Sequence, residues 1–203
     1  LEINHEGQIF LGYKSLYQFT GSDFTVVSTE FDDLIDQLAI DESDSNNIYV
    51  SVNNKFYQSI DKGVNFEEKF TFSSNITTIE VHSNDSNIIY ITTSGSGSRG
   101  VFKSDDKGVS FTNITFNLPV DQPYFDIVHQ DRHSKNPLFV GTSLGVYRFD
   151  DTADEWKSFF SNLPVVPVRD LEISLDDAKI SAATYGRGVW QSSPFEVKFS
   201  KTC

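Results

Sequence analysis

The chain has 203 residues, 38% hydrophobic and 14% aromatic, which is enough apolar material for one well-buried domain or a large piece of one and excludes a disordered polymer. Its formal charge of −13 repels phosphate backbones and anionic lipid surfaces, so neither nucleic acid nor membrane insertion is expected. No run reaches the apolar length of a spanning helix, and the single cysteine, Cys203, excludes an intrachain disulfide, a cysteine metal site and a Cys-His nucleophile.

Leu1-Glu2-Ile3-Asn4 lacks the charged and apolar regions of a signal peptide, which predicts a chain already processed or excised. The first unit starts near Gly7-Gln8-Ile9-Phe10, with no first strand recognisable before it. From there an aromatic-polar pair recurs every 40 to 45 residues: Tyr17-Gln18, Tyr57-Gln58, Phe102-Lys103, Tyr147-Arg148 and Trp190-Gln191. Upstream of the middle pairs, Asn47 to Val50, Asn87 to Ile91 and Asn136 to Val140 read as second strands. First strands are expected at Leu34 to Ile40, Ile76 to Val81, Phe125 to Val128 and Val168 to Ile173. Fourth strands are expected at Phe66 to Phe70, Phe111 to Phe116, Trp156 to Phe160 and Phe195 to Phe199, mixing exposed charge with aromatics. No stretch sustains helical apolar spacing. Four strands per repeat at this period predict an all-β fold, a β-propeller of four-stranded antiparallel blades, with repeats near 1–30, 31–72, 73–117, 118–162 and 163–203. Five units with one strand missing suggest part of a larger ring; a closed five-bladed ring is the alternative.

Between third and fourth strands a turn occurs twice in the same chemical order. Ser59, Asp61, Gly63 and Phe66 are matched by Ser104, Asp106, Gly108 and Phe111. The serine and aspartate oxygens can bond nearby backbone N–H groups, the glycine permits a positive φ, and the phenylalanine returns to the interior. In the fourth unit the turn, 150–156, keeps acids and an aromatic but loses the glycine.

These two Ser-x-Asp-x-Gly-x-x-Phe stretches resemble the Asp-box, or BNR repeat, of sialidases, xyloglucanase-type glycoside hydrolases and sortilin (VPS10)-like propellers. Ala183-Thr184-Tyr185-Gly186-Arg187-Gly188-Val189-Trp190 is similar to the last blade of secreted Bacteroidetes propellers, which often precedes a sorting domain; none follows Lys201-Thr202-Cys203. The resemblance implies a secreted or cell-surface location and places the turn aspartates on the outer rim, away from any active site. The motif is shared by enzymes and non-enzymes.

In an up-and-down blade, loops after second and fourth strands share one face, and that face is the expected ligand surface. It carries Asp32, Asp33 and Asp121 as carboxylates that could serve as acid and base, Tyr124 and Tyr185 as rings to stack on a sugar, and Arg99 and Arg187 as cations. Asn53, Asn54, Ser94, Gln122, Ser143 and Arg169 lie on the same loops. A solvated loop surface is the plainer explanation of them. The Arg-Ile-Pro motif and arginine cluster of sialidases are missing. His82 and His129 close matching first strands and His133 follows, but loop spacing gives them no shared face and no third ligand, so no metal and no cofactor are expected. The acidic loop from Asp41 to Asn47 lacks the glycine and terminal glutamate of a helix-loop-helix calcium site. Asn75, Asn84 and Asn113 head glycosylation sequons that matter only in a eukaryotic secretory pathway.

The leading expectation is a non-catalytic extracellular module, the remainder of a larger chain lying outside it, that binds protein or carbohydrate through the loop face. A fragment of a glycoside hydrolase and a structural spacer of an adhesin are the alternatives.

Overall fold

In the computed structural model, which describes residues 1–95, 99–120, 122–131, 137–149, 155–194 and 200–201, the β-branched and aromatic segments pair into five four-stranded antiparallel sheets. The first is β1 (Glu2–Ile3), β2 (Ile9–Gly12), β3 (Leu16–Phe19) and β4 (Phe24–Val26); the second is β5 (Gln37–Ile40), β6 (Ile48–Val52), β7 (Lys55–Ser59) and β8 (Glu67–Thr71). The third is β9 (Asn75–Val81), β10 (Ile89–Ser94), β11 (Gly100–Ser104) and β12 (Thr112–Asn113). The fourth is β13 (Tyr124–His129), β14 (Leu138–Thr142), β15 (Gly145–Phe149) and β16 (Lys157–Ser158), and the fifth β17 (Val168–Ser174), β18 (Lys179–Thr184), β19 (Gly188–Ser192) and β20 (Ser200–Lys201). Each strand pairs only with its neighbours in sequence, and the blades form a β-propeller.

Three expectations need correction. The first blade does have an inner strand: Glu2 and Ile3 pair with Phe10 and Ile9, and a two-residue strand carries no readable period. The inner strand of the second blade starts at Gln37 rather than Leu34, because the Asp33 carboxylate captures the Leu34 N–H at 2.8 Å and holds it in the loop. The outer strands of the third and fourth blades shrink to two residues because the turn aromatic leaves the sheet. The fourth-blade turn at 150–154 and the strand expected from Phe195 to Phe199 lie outside the described residues.

Register shows where those aromatics go. Phe10, Tyr49, Tyr90 and Phe139 occupy one position on second strands and point toward the following blade, each completely or almost completely buried. Tyr57, Phe102, Tyr147 and Trp190, opposite Val50, Ile91, Val140 and Ala182, point toward the preceding one, and Tyr17, opposite Leu11, holds the same position on the first blade. Every blade therefore has a leading and a trailing face, and four cores form where they meet. Tyr49 and Phe56 of the second blade, for instance, pack on Ile79, Ile89 and Ile91 of the third. Each such side chain contributes about 1.5–3 kcal/mol by leaving water. The turn aromatics close the same seams from outside. Phe111 packs on Phe56, Phe70 and Phe72 of the preceding blade at 5.0–5.6 Å between rings, and Trp156 donates its indole N–H to the Ile114 carbonyl at 2.8 Å.

Candidate functional site

The two Ser-Asp-Gly turns are built alike. Ser59 Oγ donates to Asp61 Oδ1 at 2.7 Å and accepts the N–H of Gly63 at 2.8 Å, while Asp61 accepts the backbone and side-chain N–H groups of Asn65 at 2.9 and 2.8 Å. Ser104, Asp106, Gly108 and Ser110 repeat the set, with Ser110 Oγ donating to Asp106 at 2.6 Å. These hydrogen bonds, from Asn65 to Asp61 and from Ser110 to Asp106 above all, hold both carboxyls down at about 2. Both oxygens of each carboxylate are engaged within the turn. A depressed carboxyl stabilises the fold above its unfolded value and loses that contribution as pH falls through the folded one. Asp106→Asn should therefore lower the urea midpoint at pH 6 and converge on the parent near pH 2; a deficit unchanged by pH would contradict this reading.

On the loop face, Asp33 accepts the side-chain amide of Asn53 at 3.1 Å as well as the Leu34 N–H, and these bonds lower its pKa. Asp32 is exposed beside it. Arg99 Nε donates to the Gly95 carbonyl at 2.6 Å. Tyr185 stands 72% exposed on the β18–β19 turn, with Arg187 exposed two residues on. That turn is pinned by Tyr185 N–H to Pro167 O at 2.9 Å and by the Trp190 indole to Arg187 O at 3.2 Å. Nearby in sequence, the Arg169 guanidinium lies 3.9 Å from the Phe125 ring centroid. Tyr124 is corrected: it is 1% exposed in the core between third and fourth blades, its hydroxyl donating to Pro119 O at 2.9 Å, so its ring offers no face to a ligand. Asp121 lies outside the described residues.

His82 and His129 come together, their rings 3.9 Å apart across the third and fourth blades, and both are buried. His133 lies outside the described residues. Among the described residues no group of three His, Cys, Asp or Glu side chains is placed to hold a metal. In the acidic loop Asp41 Oδ1 accepts from Ser43 N–H and Oγ, and Asp44 accepts from Asn46 and Asn47. Those carboxylate oxygens hold the loop itself.

A feature not foreseen from sequence lies on the propeller axis. A cavity of about 460 Å³ is bounded by the ends of β5, β9, β13 and β17, by the loops that follow them, and by Glu2 of β1. It opens toward the first-to-second-strand loops, the face opposite the expected ligand surface. Glu2, Ala39, Glu80, Val128 and Glu172 share one register position, so three of five blades direct a glutamate to the axis. Glu80 accepts the His129 N–H at 2.9 Å, and burial, reinforced by Asp126, Glu42 and Glu2, pushes its pKa up to about 8. Asp126 clamps three blades: it accepts from Thr78 Oγ1 at 3.0 Å, from the Ile127 N–H at 2.9 Å and from the Leu171 N–H at 2.6 Å. Burial raises it to about 7. The signal for this cluster was available in the repeat, but only once Glu2 is recognised as part of a strand.

No protein-family model matches the sequence, and no curated protein matches it significantly. Solved structures match over nearly its whole length. An ancestral GH74 enzyme superposes with a TM-score of 0.78 at 15% identity, covering 96% of this chain and 29% of its own. The GH74 xyloglucanase from Xanthomonas campestris gives 0.74 at 15%, covering 96% and 35%. The extracellular domain of BT4673 from B. thetaiotaomicron gives 0.76 at 15%, covering 98% and 26%. At such identity the likeness is one of fold, and the chain spans only about a quarter to a third of those proteins.

Proposed function

We propose that this chain is part of an extracellular Asp-box β-propeller that acts as a binding module, engaging protein or carbohydrate through the loop face. The observation that carries the reading is the β18–β19 turn: an exposed ring, Tyr185, and an exposed cation, Arg187, held on a turn fixed by two hydrogen bonds. Exposed aromatic and arginine side chains on a pre-organised turn bind with little ordering cost. The resemblance of the Ser-Asp-Gly turns to Asp-boxes and the extracellular setting of BT4673 support the location. Glycan-array and pull-down assays test it. A ligand is expected, with Tyr185→Ala or Arg187→Ala weakening binding roughly tenfold or more. Empty screens accompanied by hydrolase turnover would overturn the reading.

A second reading, a fragment of a glycoside hydrolase, is favoured by one observation. Glu80, protonated near neutrality, shares a cavity with the carboxyls of Glu2 and Glu172, a grouping of acids that acid-base hydrolysis could draw on. Turnover of xyloglucan or sialosides, abolished by Glu80→Gln or Glu172→Gln, would establish it. Turnover abolished instead by Asp32→Asn, Asp33→Asn or Asp121→Asn would move the chemistry to the loop face.

A further inference from the structure

The two end faces of the blade array differ in chemistry. On the trailing face of the first blade, Ile3, Ile9, Leu11, Tyr17, Phe24 and Val26 lie on one side of the sheet, because Ile3 pairs with Ile9, Leu11 with Tyr17 and Tyr17 with Val26. Ile3 is 61% and Val26 62% exposed, and Ile9, Leu11 and Tyr17 are only partly covered. At the register of Leu11, Val50, Ile91, Val140 and Ala182 are fully buried by the blade before them. The first blade thus has the residues of a trailing interface without its cover.

The leading face of the fifth blade does not supply that cover. Where the second, third and fourth blades place Tyr49, Tyr90 and Phe139, it places Ser181, hydrogen-bonded to Gln191 at 3.0 Å. Glu172 pairs with Ser181 on the same side. Val189, at the position where Phe56, Val101 and Val146 are fully buried, remains 42% exposed. Closing this polar face onto Ile9, Leu11 and Tyr17 would strip Glu172 of water without giving it a partner and leave Gln191 only its bond to Ser181. Among the described residues, no contact as extensive as those between successive blades joins the fifth sheet to the first. A polar outer face is what an end repeat needs; an apolar one of this extent is what an internal repeat needs.

We propose that the trailing face of the first blade is an interface for one further four-stranded blade of the same repeat type, joined through the segment that enters β1. That blade presents a ring at the Tyr49 position and an apolar side chain at the Phe56 position. The assignment continues an interface the molecule already repeats four times, each with the incoming connection delivered to the start of the next inner strand. It is independent of the ligand reading above, since it concerns the ring rather than the loops.

Thiol labelling tests it. In a Cys203→Ser background, Val26→Cys and Val189→Cys are each placed in the 203-residue chain and in the same chain carrying a second copy of residues 31–72 ahead of Leu1. Masses are followed by light scattering. Cys at 26 should react as an exposed thiol in the 203-residue monomer and slow roughly tenfold or more in the extended chain, as burial demands. Tyr49→Ser in the added copy should restore the fast rate, and Cys at 189 should react quickly throughout. Protection of position 26 in the 203-residue monomer would mean that its own fifth blade covers it, and protection only in a dimer that a second copy does. Either result, or no protection in the extended chain, overturns the proposal. Should the added blade fail to fold, a hydrophobic dye supplies a second measurement on the original chain. Dye binding lost with Val26→Lys and kept with Val189→Lys supports the assignment; the reverse, or no dye binding, rejects it.

Discussion

Gly108→Ala is expected to lower the melting temperature by roughly 5–15 °C, the shift that about 2–4 kcal/mol produces in a domain of this size. Two penalties act together. Gly108 sits at φ +84°, where a Cβ is strained, and that Cβ would stand 2.2 Å from Cε1 of Phe56 on the preceding blade. Gly63 repeats the arrangement at φ +87°, with Leu16 Cδ2 at 2.2 Å. Gly186, at φ +77° with nothing within 4 Å of its Cβ position, separates the effects: Gly186→Ala should cost only about 1 kcal/mol. A Phe56→Leu change that recovers part of the Gly108→Ala loss would establish the steric share; strict additivity of the two would refute it.

Glu80→Gln should make the protein more stable at pH 8.5 by on the order of a few kcal/mol while leaving it near the parent at pH 5. Glu80 is raised from 4.5 to about 8, so between those values the folded state holds more protons than the unfolded one. Stability is then greatest at the acidic end of that window and is lost as pH rises through it. Asp126, raised to about 7, adds a slope of the same sign. Glutamine keeps an oxygen for the His129 N–H and removes the charge. Urea unfolding between pH 5 and 9 reads the effect, and an unaltered slope in the variant would show that Glu80 titrates normally.

Much of the architecture was legible because a four-stranded repeat announces itself through side chains of one type at one spacing. Tyr17, Tyr57, Phe102, Tyr147 and Trp190 do share a face, the trailing one. The turn aspartates were legible for a local reason, since their partners lie within four residues. What sequence could not show was decided between blades. Tyr124 reads as a loop aromatic but fills a core contributed largely by other strands. Glu80 and Glu172 carry no local signal in the sequence, and only the packing of inner strands around an axis brings them to one cavity. The loop-face residues stay dispersed in sequence, and Asp33 and Asn53 meet only because two connections fold over one another.

The grip of each turn on its neighbour changes where this protein can be cut. Phe111 belongs by sequence to the third repeat yet fills space among Phe56, Phe70 and Phe72 of the second, and Trp156 does the same one repeat later. The heritable module and the cooperative module are therefore out of phase, offset by most of a blade. A fragment ending at residue 72 would leave the second blade without its plug, whereas one extended past Phe111 would keep it. Domain dissection and circular permutation should take their boundaries from that offset and not from the repeat, and a blade grafted by its repeat depends on the returning aromatic of the blade it joins.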